Sequence, residues 1–87
     1  MSSVGSPSQI FNEIATLFAS SPSSQTILDF RPSEQTIGRA SELLDLNRKG
    51  QLSDELTVEL EQFEQAELLM RLVKARIRAD RLRSEKP

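Results

Sequence analysis

The chain has no cysteine, no histidine, no tryptophan and no tyrosine. Without cysteine there can be no disulfide, no thiol nucleophile and no thiolate metal site. Without histidine there is no imidazole ligand and no histidine acid–base catalyst. The aromatic complement is Phe11, Phe18, Phe30 and Phe63, a thin set for stacking bases or sugars. No apolar run approaches the ~20 residues that a membrane-spanning helix needs. The first residues, Met1 to Ser6, carry no charged stretch ahead of their apolar residues, so a secretory signal is not expected. A cysteine-free chain suits a reducing compartment, and a cytoplasmic location is the expectation.

What is present is small and helical. Eighty-seven residues make one domain with a modest core. Proline and glycine are scarce, and none falls between Ser53 and Lys86. Ser6-Pro7 reads as a helix start, with serine as N-cap and proline in the first turn. Ile10, Phe11, Ile14, Leu17 and Phe18 follow on one helical face, and the helix should end near Ala19 or Ser20. Ser21-Pro22 repeats the start signal before a short helix carrying Ile27, Leu28 and Phe30, which Arg31-Pro32 stops. A third helix is expected from about Ser33 to Lys49, with Ile37, Ala40, Leu43 and Leu44 on its inner face. Asn47-Arg48-Lys49-Gly50 is its stop, with bases in the last turn and glycine in the left-handed position. Ser53 should cap a last helix of ~30 residues, ~45 Å long. Its apolar stripe is Leu56, Leu60, Phe63, Ala66, Leu69, Met70, Val73 and Ile77.

The expected class is therefore all-α: three short helices followed by one long C-terminal amphipathic helix. Residues 1–6 should be disordered. Residues 7–83 should form a single helical domain with a projecting C-terminal helix. Residues 84–87 should fray.

The charges of the last helix are sorted by sign. From Asp54 to Glu67 there are six acids and no base; from Arg71 to Lys86 there are seven bases against Asp80 and Glu85. That order suits the helix macrodipole. On an ideal wheel Arg71, Lys74, Arg78 and Arg81 share one sector beside Met70, Val73 and Ile77. A basic stripe beside an apolar one fits an acidic protein groove, a nucleic-acid backbone or an anionic surface. The ordinary alternative is a solvated helix end, with local pairs such as Glu67 and Arg71. Among binding readings a protein partner is favoured, because nucleic-acid binders usually carry excess basic charge and this chain has a net charge of −2. Leu69, Met70, Arg71, Val73, Lys74, Ile77, Arg78 and Arg81 are the expected partner-binding residues. A homodimer built on the long helix is a further alternative, although Glu67 and Lys74 interrupt the heptad formed by 56, 60, 63, 70 and 77.

Chemistry of other kinds finds little footing. Glu59, Glu61, Glu64 and Glu67 are spread around a straight helix, and no Asp-x-Asp-x-Asp-Gly loop gathers them on a cation. Glu42, Asp45 and Glu59 are the carboxylates available for acid–base work, and nothing in the sequence orders them around a pocket. No G-x-S-x-G, Walker A or glycine-rich phosphate loop occurs. No catalytic residue, metal or cofactor is expected.

Four segments carry a resemblance. They are Phe30-Arg31-Pro32-Ser33-Glu34, Ser41-Glu42-Leu43-Leu44, Leu46-Asn47-Arg48-Lys49-Gly50-Gln51-Leu52 and Glu67-Leu68-Leu69-Met70-Arg71-Leu72-Val73-Lys74-Ala75-Arg76. Together they resemble short bacterial helical proteins often encoded beside HNH-type endonucleases or ribonuclease-like toxins, some of them antitoxin-like. The likeness covers roughly residues 15–83. The chain departs from the pattern at Ser53-Asp54-Glu55 and at Pro22-Ser23-Ser24, where relatives carry Pro-Glu-Glu. The resemblance brings no catalytic motif. It implies an accessory or antitoxin-like protein whose partner is a nuclease or toxin.

Overall fold

The structure, a computed structural model, describes residues 9–85. Four helices follow one another: α1 (Gln9–Ala19), α2 (Ser24–Leu28), α3 (Glu34–Arg48) and α4 (Asp54–Glu85). The fold is all-α, as the sequence predicts. The expected start at Ser6-Pro7 and the termini 1–6 and 86–87 lie outside the described residues. Residues 84 and 85 continue α4.

Serine hydroxyls set three of the helix starts. Ser23, Ser33 and Ser53 each accept from the backbone N–H three residues on, at Thr26, Thr36 and Leu56, which satisfies a donor that a helix start leaves open. Ser21 does not cap α2, contrary to the repeat of Ser-Pro. It ends α1 instead, with a φ of 53° and its N–H on the Phe18 carbonyl. The cap falls to Ser23, whose extended backbone suits the role. At the other end of α3, Gly50 has a φ of 69°. Its N–H reaches the Asn47 carbonyl, and the Gln51 N–H reaches that of Leu46. This is the Schellman pattern, which needs a residue free to enter the left-handed region.

α4 is the spine. Its 32 residues make a rod of ~48 Å, and α1, α2 and α3 each pack against it. The core is Ile10 and Ile14 of α1, Leu43 of α3, and Leu60, Phe63, Ala66 and Met70 of α4. Phe11, Leu17, Ile27, Phe30, Ala40, Leu52 and Leu56 close around it. Leu43 is fully buried, so its truncation to alanine removes about 2–5 kcal/mol from a small total. Phe18, Ile37 and Leu44, expected inside, are 41%, 43% and 44% exposed. The inner face of α3 is turned from the expected one: Ala40 and Leu43 face inward as expected, and Thr36 joins them in place of Ile37 and Leu44.

Thr36 explains the rotation. It is 1% exposed, and its hydroxyl donates to Glu13 Oε2 at 2.7 Å. Glu13 also accepts from the Ser33 N–H at 2.8 Å and the Ser33 hydroxyl at 2.6 Å. In a capping box the third helical residue returns a carboxylate to the N-cap N–H. That position is Thr36 here, and Glu13 of α1 supplies the carboxylate from another helix. Burial raises the Glu13 pKa, but the hydrogen bonds from Ser33, Thr36 and Gln9 outweigh it and hold the group at about 2. A bidentate pair ties α3 to α4: Arg39 Nε to Glu59 Oε2 at 2.7 Å and Nη2 to Oε1 at 3.0 Å.

A carboxylate with a depressed pKa adds stability above its ordinary value and loses it as pH falls toward the folded one. Urea titrations of the wild-type chain should therefore show a Glu13-dependent loss between pH 4.5 and about 2. Glu13→Gln should shrink that loss and cost about 1–2 kcal/mol at neutral pH. Two glycine substitutions should move stability in opposite directions. A Cβ at Gly38 meets nothing within 4 Å, so Gly38→Ala should add about 0.5–1 kcal/mol. Gly50→Ala should remove about 1 kcal/mol, because its φ is left-handed. Thermal melts followed by circular dichroism read both.

Candidate functional site

The eight residues expected to meet a partner do not share one open face. Met70 is 6% exposed and belongs to the core. Val73 and Ile77 are half-buried, and Leu69 lies on the outer side. The C-terminal half of α4 is thus not bare: α2 lies along it. Lys74 Nζ donates to the Phe30 carbonyl at 2.9 Å, an acceptor just past the end of α2. Arg81 Nη1 donates to Gln25 Oε1 at 3.1 Å. These two bases dock α2 on the spine.

Three of the expected bases do converge. Arg71, Lys74 and Arg78, with Glu67, rim a cleft of about 310 Å³ whose apolar wall is Ile10, Phe30, Pro32 and Met70. The spacing i, i+3, i+7 brings the bases to one side of α4, and Ile10 of α1 with Phe30 and Pro32 of the loop between α2 and α3 supply the opposite wall. Among the described residues Arg71 and Arg78 make no ion pair, and the local Glu67–Arg71 pair that the spacing allows does not form. The cleft therefore presents cations beside an apolar wall. At this volume it takes one or two side chains rather than a large ligand.

The carboxylates considered for chemistry are held in ion pairs. Glu59 and Glu42 both bind Arg39, and the Arg39 hydrogen bond holds Glu59 below its ordinary pKa. Asp45 pairs with Lys49 at 3.0 Å and Arg48 at 3.2 Å, and those contacts lower its pKa. Among the described residues no three acids gather where a metal ion would fit, and no helix is long and apolar enough to cross a membrane.

Two features escape the sequence reading. Glu13 sits beside Ile14 on α1 with no local signal beyond its neighbour Gln9, and its partners lie 20 and 23 residues away. The second is an outer apolar stripe on α4. Leu68, Leu72 and Leu82 are 51%, 59% and 62% exposed, and Val58 is 53% exposed. Ala75 and Ala79 lie exposed between them. At about 100° per residue, this stripe stands opposite the core face of Leu60, Phe63 and Met70. Its spacing, 68, 72, 75, 79 and 82, was legible in the sequence as alternating four- and three-residue steps.

Comparison with protein-family models, with curated proteins and with solved structures finds no match for this chain.

Proposed function

We propose that this chain is a non-catalytic protein-binding module, and that the cleft on α4 receives an acidic and apolar segment of its partner. The observation that carries the reading is the convergence of Arg71, Lys74 and Arg78 on a wall made by Phe30 and Met70. Two of those cations have no intramolecular ion pair among the described residues. A carboxylate placed between them forms charge-assisted hydrogen bonds, while an adjacent apolar side chain covers the wall. The resemblance of the sequence to antitoxin-like proteins makes a nuclease or toxin the partner to try first. In that pairing the module occludes the partner's path for nucleic acid and performs no reaction itself.

A second reading, direct binding of a nucleic-acid backbone, draws on the seven bases between Arg71 and Lys86. Against it stand the eight acids of α4 and the engagement of Lys74 with the Phe30 carbonyl and of Arg81 with Gln25.

Affinity purification from native cells, run with and without nuclease treatment, separates the two. The proposal expects a protein that stays bound after nuclease treatment. Arg71→Ala with Arg78→Ala should weaken its binding by about tenfold or more. Equal binding by that double variant would exclude the cleft. Loss on nuclease treatment, with affinity falling by decades as salt rises, would favour the second reading.

A further inference from the structure

The outer stripe of α4 has an occupant that its own charges select. Residues 65, 68, 72, 75, 79 and 82 step by three and four, so Leu68, Leu72, Ala75, Ala79 and Leu82 occupy the seam of a heptad. Extended toward the N-terminus, the same register reaches Val58. None of these side chains is used by the core, and α1, α2 and α3 all lie on the opposite side of α4. We propose that this seam pairs with the same seam of a second copy, antiparallel, to form a homodimer.

Charge decides the direction. In a parallel pair the flanking positions bring Arg71 against Arg76 of the other copy and Arg78 against Arg83, and each repulsion occurs twice. In the antiparallel pair the acidic half of one helix lies along the basic half of the other. The register that fits the seam sets Leu68 against Leu72 of the second copy and Val58 against Leu82. It then places Glu64 beside Arg78 and Glu55 beside Arg83, again twice each. Arg71 meets its own counterpart near the two-fold axis, the one like-charge contact on the flanks. Its side chain is exposed and is free to turn toward solvent.

The paired segment runs from Val58 to Leu82, about 37 Å of helix. Ala75 and Ala79 let the helices approach closely and leave room for the stems of Gln65 and Glu61 in the facing positions. Those two polar residues weaken the seam, so the dimer dissociates on dilution. The isologous contact closes on itself and leaves no stripe for further growth. It also gives the charge sorting of α4 a use beyond the macrodipole, since sorting by halves is the pattern that self-complements only head to tail.

Sedimentation of the full-length chain from micromolar to millimolar concentration should show a monomer passing to a dimer. Leu72→Glu, at a site with little contact to its own chain, should stay monomeric with unchanged helicity. Because the chain has no cysteine, single cysteines report direction directly. In an equimolar mixture of Val58→Cys and Leu82→Cys chains, oxidation should join unlike chains at least about tenfold faster than like ones. A wild-type chain that is monomeric throughout would overturn the proposal and leave the seam to a different partner. Preferential joining of Leu82→Cys chains to each other would overturn it too, since that is the parallel pair. The cross-linking reads direction even if Leu72→Glu fails to fold.

Discussion

Helices of 11, 5 and 15 residues have little stability of their own in water, because helix nucleation is costly and short segments recover little of that cost. Their existence here depends on burial against α4. Leu60, Phe63, Ala66 and Met70 of α4 share one cluster with Leu43 of α3 and with Ile10 and Ile14 of α1. A core of seven buried apolar residues among the described ones leaves a narrow margin. Polar contacts between helices then matter more than they would in a larger domain.

The tie through Glu13 is the most economical of these contacts. One carboxylate completes the N-cap of α3, accepts the buried Thr36 hydroxyl and so links α1 to α3. The Arg39–Glu59 pair plays the corresponding part between α3 and α4 at a more exposed site, where screening reduces its worth. Together they set the rotation of α3, which periodicity alone misplaces. With Thr36 turned in toward Glu13, Ile37 and Leu44 are left outside.

The division between what was legible in the sequence and what was not follows the range of the interactions. Ser33, Ser53 and Gly50 act within a few residues, so their roles can be read directly, and the bounds of α3 and α4 follow. Ser21 and Ser23 compete locally as caps for α2, and only the backbone turn after α1 settles the choice. Glu13, Lys74 and Arg81 act across 20 to 56 residues, where no local pattern exists. α4 poses a different difficulty. It carries two apolar stripes on opposite faces, and following the inner one, which the core does bury, left the outer one unread. The stripe of Leu60, Phe63, Ala66 and Met70 wins because it offers the aromatic ring and the small residue that let three helices settle on it. The eight residues expected to meet a partner are divided by the fold. Arg71, Lys74 and Arg78 do gather, whereas Met70 is spent on the core and Arg81 on α2.

α4 runs from Asp54 to Glu85 without a glycine or proline, and α2 braces it as far as Arg81. A rod held in this way carries no hinge. A surface on it is already in its bound shape before anything arrives, so association need not supply the ordering entropy that a folding tail demands. The same stiffness forbids adjustment. A partner whose contour does not match the rod must bend itself or be refused, and selectivity then comes from rigidity as much as from the side chains displayed.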